Sequence, residues 1–118
     1  MVVQRASMPV QETTLRGGPG TLFMTDLTGG KGPCKNCRLI SDVRIPPGAG
    51  IGKHQHLNET EYYIILEGSG IVMDNGKEVR VSAGDCVITG HGAEHSILND
   101  QKTDLRLIAV IITHGGDK

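Results

Sequence analysis

The stretch from Gly48 to Gly68 reads GAGIGKHQHLNETEYYIILEG. It holds two histidines two residues apart, His54 and His56, and an alternating second half. In a strand, residues i and i+2 project from one face, so these imidazoles stand side by side and can chelate one ion. After a polar turn at Asn58-Glu59-Thr60, alternation puts Glu61, Tyr63 and Ile65 on one face and Tyr62, Ile64 and Leu66 on the other. If the first face points inward, the returning strand of this hairpin sets the Glu61 carboxylate beside the imidazoles. A third imidazole, from His95, must then arrive from a non-neighbouring strand, which a closed barrel supplies.

Outward from this stretch the chain reads as strand after strand. Thr21 to Leu27 follows a Gly17-Gly18-Pro19-Gly20 turn, and Cys37 to Ile45 alternates until Pro46-Pro47-Gly48. In that strand Leu39, Val43 and Ile45 lie on one side, and Arg38, Asp42 and Arg44 on the other. Gly70 to Asp74 and Lys77 to Val81 flank Asn75-Gly76, a type I′ hairpin signal because both central residues need positive φ. Cys86 to Thr89, His95 to Asn99 and Leu105 to Thr113 complete the set, the last apolar enough on both faces to be central. No window carries capped helical periodicity. The 17 glycines among 118 residues are about twice the usual share of roughly 7% and fit many tight turns. Together these features predict an all-β fold, a sandwich or barrel, in a single domain spanning residues 1–118. Residues 1–20 read as an N-terminal arm, 21–113 as the barrel and 114–118 as a polar tail.

A formal charge of −1 and only three aromatic residues, Phe23, Tyr62 and Tyr63, leave no footprint for nucleic acid or an anionic membrane. No apolar run has signal-peptide or membrane-span length, so a cytoplasmic protein is expected. Three cysteines, an odd number, argue against a secreted disulfide framework. Cys34-Lys35-Asn36-Cys37 reads as structural, with a subunit-bridging metal or disulfide, or a redox role, as lesser alternatives. Cys86 reads as a small buried residue.

Both long-range spacings resemble those of the cupins. Gly48, five residues, His54, one, His56, four, Glu61, six and Gly68 match the first cupin motif at every fixed position. Gly84, five residues, Gly90, one, Gly92, two, His95, three and Asn99 match the second, except that Gly90 stands where the family usually has proline. The 15 residues from Ser69 to Ala83 separate them, as in the shortest members. The resemblance implies a six-stranded, jelly-roll-like β-barrel with His54, His56, Glu61 and His95 as metal ligands. It also implies a homodimer with N-terminal strands packed on the partner. Three imidazoles and a carboxylate suit one divalent transition-metal ion (Mn, Fe, Co, Ni, Cu or Zn) and leave positions open for ligand.

A cupin of this kind points first to a metal-dependent enzyme on a small oxygen-rich molecule, such as a sugar, keto acid or dicarboxylate, chelated by a Lewis-acidic ion. Tyr63, Glu94 and His91 are the candidates for moving protons there, with core packing the equal alternative for Tyr63 and an exposed loop the bland reading for His91. A non-heme dioxygenase and a non-catalytic small-molecule binder are the other readings. Arg44 and Lys53 are expected in solvent rather than clamping an anion. Asn99 is expected to tie a turn, and Leu105, Leu107, Ala109 and Ile111 to be core.

Overall fold

Among the described residues, short alternating runs cut by glycine-rich turns fold into ten strands and one 3-10 turn, Arg5–Ser7. The computed structural model describes residues 1–115, so the last part of the expected tail, 116–118, lies outside the described residues. The strands are β1 (Val10–Thr13), β2 (Leu22–Asp26), β3 (Cys37–Ile45), β4 (Gly50–Gln55), β5 (Glu59–Glu67), β6 (Ser69–Asp74), β7 (Lys77–Ser82), β8 (Cys86–Gly90), β9 (Glu94–Leu98) and β10 (Leu105–Thr113). They form a six-stranded sheet, β1-β2-β3-β10-β5-β8, facing a four-stranded sheet, β4-β9-β6-β7. All the strand pairings are antiparallel. This is a jelly roll of the kind the cupin resemblance implies, with its two sheets facing each other across a core.

Alternation decides what enters that core. Leu105, Leu107, Ala109 and Ile111 point inward from β10, which lies between β3 and β5 as its apolar composition requires. Leu22, Val43, Ile45, Tyr63, Ile65 and Ile97 meet them. Burying each such aliphatic side chain contributes about 1.5–3 kcal/mol. Asn75 and Gly76 have φ of 49° and 89°, as the hairpin between β6 and β7 demands. Asn99 is fully buried; its amide donates to the carbonyls of Ile45 and Thr103 at 2.8 Å each, and its own oxygen accepts from Gln101 N–H.

Two expectations are corrected, the burial of Cys86 and the β4–β5 hairpin, and two others gain detail. The N-terminal arm contains β1, which adds to the edge of the larger sheet beside β2. Cys86 is exposed, because β8 points Val87 and Thr89 inward and Cys86 outward. Asp42 does lie on the outer side of β3, yet it is 3% exposed, because Arg5 and Arg106 close over it. Finally, β4 and β5 do not form a hairpin: β4 pairs with β9 and β5 with β10 and β8, so the intervening turn crosses from one sheet to the other. Asn58, at φ 58°, makes that crossing. Among the described residues no helix is long and apolar enough to cross a membrane.

Candidate metal centre

β4 carries the first two histidines, and a β-bulge decides which way they face. Ile51 pairs with Ile97, but the next registered pair is His54 with His95. Two residues, Gly52 and Lys53, therefore stand opposite the single Ser96, and the alternation of β4 reverses at that point. Without the bulge, inward-facing Ile51 would be followed inward by Lys53 and Gln55. With it, His54 and His56 turn in and Lys53 is exposed. Unbroken alternation in β9 brings His95 in beside Ile97. β5 brings Glu61 from the opposite sheet, between Ile111 and Thr89.

One ligand atom from each of His54, His56, Glu61 and His95 lies within 4.8 Å of every other. His95 Nε2 is 2.9 Å from His54 Nε2, 3.1 Å from His56 Nε2 and 2.9 Å from Glu61 Oε1. Glu61 Oε1 also lies 2.9 Å from His56 Nε2 and 3.5 Å from His54 Nε2. Metal–imidazole bonds of about 2.0–2.1 Å put neighbouring donors at a right angle about 3 Å apart. The donor set is thus spaced for one ion.

Each imidazole is oriented from behind. His54 Nδ1 donates to the Gly52 carbonyl at 2.7 Å, and His56 Nδ1 donates to the Glu59 carboxylate at 2.5 Å. In the neutral rings both Nε2 atoms are therefore bare lone pairs aimed at the cluster. His95 Nδ1 lies 2.8 Å from the Thr89 hydroxyl, which can accept or donate. His95 Nε2 can thus donate a hydrogen bond to Glu61 when Thr89 donates to Nδ1, or present a lone pair to an ion when Thr89 accepts. Glu59 is itself fixed by a two-pronged pair with Arg38, at 2.7 and 2.8 Å. That pair, first among its causes, holds the Glu59 carboxyl at about 2. Burial works against ionising Glu61, yet the facing imidazoles hold its carboxyl at about 2 as well. Burial also lowers His95 below the ordinary imidazole value, favouring the neutral ring that binds metal.

Three members of the cluster, His54, His56 and Glu61, form one wall of a cavity of about 250 Å³, lined also by Arg16, Arg38, Gln11, Tyr63 and apolar side chains. Tyr63 is 1% exposed, and its ring stacks on that of His95 at 4.7 Å and 11°. Burial, then the charge and hydrogen bond of Glu61, raise its phenol well above the ordinary value.

The other sequence candidates lie elsewhere. Glu94 precedes inward-facing His95 in β9 and so projects from the opposite face of the sheet. His91 occupies an exposed turn at φ 55°, its ring 5.5 Å from that of His114. Neither lines the cavity. Arg44 covers the Phe23 ring and pairs with Asp104. Cys34 and Cys37 are free thiols closing a turn that runs straight into β3, not into a helix. Sequence reasoning left Glu59 in a polar turn and overlooked Arg16. The three-residue step from His56 to Glu59 was the available signal for the first.

Two facing antiparallel sheets, with three imidazoles and a carboxylate converging between them, define a jelly-roll protein with a metal-suited centre. Comparison with known proteins makes the class specific. A profile of the cupin domain matches residues 41–111. An oxalate-binding protein of Thermotoga maritima is 41% identical over 113 residues, which is 95% of this chain and 93% of that one. The crystal structure of a predicted oxalate decarboxylase from Thermotoga maritima matches with a TM-score of 0.87 at 39% identity, covering 96% of this chain and 99% of that one. A polyketide cyclase from Streptomyces resistomycificus shares the fold at a TM-score of 0.74 and 16% identity, over 97% of this chain and 79% of that one. The chain belongs to the cupin family.

Proposed function

We propose that this cupin binds one divalent transition-metal ion through His54, His56, Glu61 and His95, and with it holds a small dicarboxylate of about the size of oxalate. The observation that carries the reading is the set of bare Nε2 atoms, fixed from behind and converging with Glu61 on one wall of a cavity. Lone pairs at such spacing repel one another unless a cation lies among them. A bound ion would supply positive charge and open positions for ligand oxygens. A cavity of about 250 Å³ falls below the ~300–1,000 Å³ typical of drug-sized ligands. The 41% identity to a protein named for oxalate binding supports a ligand of that class.

Binding, rather than proton-transfer catalysis, is the reading we favour. Apart from the four proposed ligands, the ionisable groups lining the cavity are Tyr63, Arg16 and Arg38. Burial and the charge of Glu61 hold the Tyr63 phenol in its neutral form, and Arg38 is paired with Glu59. Metal-dependent turnover remains a second reading, carried by Tyr63 as the neutral proton donor beside the centre. We also propose that two copies pair through the outer face of the six-stranded sheet. The expected cytoplasmic location stays part of this reading.

The test is metal analysis together with titration of oxalate. The wild-type chain should hold about one ion per protomer, and His54→Ala with Glu61→Ala should abolish uptake. Thermal stability should rise with added metal, by about 2.7 kcal/mol at 100 times the dissociation constant. Equal metal content in wild type and the double variant would defeat the proposal. Release of CO2 or formate from oxalate, lost in Tyr63→Phe, would move the reading from binding to turnover.

A further inference from the structure

Outside the four ligands and Tyr63, the cavity has two cationic side chains, and only one is spent. Arg38 is committed to both oxygens of Glu59. Arg16 makes no side-chain hydrogen bond or ion pair among the described residues, and it is exposed at the same cavity that His54, His56 and Glu61 line.

Its backbone is anything but free. Gly18 N–H donates to the Leu15 carbonyl at 2.9 Å, closing a turn around Arg16 and Gly17. Gly52 N–H donates to the same carbonyl at 3.1 Å, and Gly50 N–H to Pro19 at 2.9 Å. Leu15 forms a parallel bridge with Ile51. The turn is thus strapped onto β4 immediately before His54. A Cβ at Gly52 would fall on the Arg16 carbonyl oxygen, and one at Gly18 on the Gly50 carbonyl, so both glycines are needed for this approach. Arg16 itself sits at φ 55°, a region that only a few per cent of non-glycine residues adopt. A large cationic residue held there, where glycine would relax, is an observed backbone outlier at a cavity mouth. Its charge is felt by Tyr63, whose raised phenol it partly offsets.

We propose that Arg16, held at the cavity mouth by the Leu15–Gly18 strap, is the second anchor of the ligand and takes the carboxylate remote from the metal-binding cluster. The inference rests on the proposed function above. Charge balance identifies the ligand class. Three neutral imidazoles and one carboxylate leave a divalent ion with a single net positive charge. Arg38 is neutralised by Glu59, so Arg16 adds one more. The cavity then complements a dianion, not a monocarboxylate. A guanidinium is suited to this because its planar fork meets a carboxylate with two parallel hydrogen bonds.

The test uses the full chain loaded with Mn, with oxalate, oxamate and acetate titrated calorimetrically into wild type, Arg16→Gln, Arg16→Lys and Arg16→Gly. Arg16→Gly keeps a residue that suits the positive φ, which guards against simple misfolding. Oxalate affinity should fall roughly 10- to 100-fold in Arg16→Gln and Arg16→Gly, with Mn content unchanged and part of the loss recovered in Arg16→Lys. Acetate affinity should barely move, and the loss for singly charged oxamate should be smaller than for oxalate. Oxalate binding within twofold of wild type in both Arg16→Gln and Arg16→Gly overturns the proposal, and so does an equal loss for all three ligands. A wild type that holds Mn but binds no oxalate overturns the role of Arg16 and leaves the metal centre standing. A wild type that holds no metal overturns both.

Discussion

His54, His56 and His95 each need one nitrogen bare and the other occupied, and the groups that arrange this decide what the cluster can do. Glu59 is the most consequential of them, because it alone brings a full charge and is itself pinned by Arg38. Replacing a partner behind a metal-binding histidine typically costs 10- to 100-fold in metal affinity. Glu59→Ala should therefore weaken metal uptake about that much, and Glu59→Gln less, since an amide oxygen still accepts from His56 Nδ1. Competition against a chelator of known affinity measures both; affinities unchanged from wild type would show that His56 needs no such partner. The convergence of all four ligands needed the fold. That His54, His56 and Glu61 come together was legible from i, i+2 spacing and alternation, and the place of His95 from the spacing of the second cupin motif. Glu59 was not, because its role depends on Arg38, which lies 21 residues away along the chain. Tyr63 was half legible: alternation put it on the inner face, but only the structure shows it stacked on His95. Glu94 looked eligible because it adjoins His95, and adjacency in a strand is what sends it to the other face.

At the level of strands, the bulge in β4 is what turns a pair of histidines into a cluster. Gly52 serves it twice, as one of the two residues opposite Ser96 and as the seat of the Arg16 carbonyl. Gly52→Ala should cost about 1–3 kcal/mol, the usual range for overpacking a close contact, and should lower metal content as His54 is displaced. Urea unfolding with metal analysis checks this; full stability and full metal content would mean that the strap yields freely. Bulges are hard to foresee because the sequence records residues, not registers, and the expected hairpin between β4 and β5 failed for the same reason. By contrast, β3 and β10 were legible residue for residue, since clean alternation and flanking turns mark both. On the outer side of β3, burial favours the neutral form of Asp42, but hydrogen bonds from Arg106 and Arg5 prevail and hold its carboxyl below the ordinary 3.8. A depressed carboxyl contributes stability that is fully present above its unfolded value and is lost as pH falls through the lower folded value. Asp42→Asn should thus lose about 1–3 kcal/mol at pH 7 and show a flatter acid limb than wild type. Parallel unfolding curves at pH 7 and pH 3 compare the two slopes, and identical acid limbs would exclude Asp42 as a contributor.

Seen as a whole, the molecule covers one side of its large sheet, while on the other side Arg5 covers part of β3 and the stretch formed by β10, β5 and β8 carries exposed apolar side chains. The inner face meets the smaller sheet, while the outer face presents Ile64 at 41%, Ile88 at 62% and Ile112 at 37% exposure. Register makes these contiguous rather than scattered: Val110 lies opposite Tyr62, Tyr62 opposite Ile88, and Ile64 opposite Cys86. Single exposed apolar residues are ordinary, but a continuous apolar sheet face marks an interaction surface. A second copy is the occupant best matched to it, because a flat face related by a two-fold axis buries itself against itself. The proposed pairing would also cover Cys86 and Ile88 on the outer side of β8. The metal ligands point the opposite way, so pairing and metal binding should separate. Ile88→Glu should convert a dimer to a monomer by light scattering while leaving metal content at the wild-type level. A stable dimer of Ile88→Glu, or a monomeric wild type at micromolar concentration, would remove this face as the interface. Loss of metal together with loss of the dimer would instead mean that the two sheets depend on the partner for their spacing.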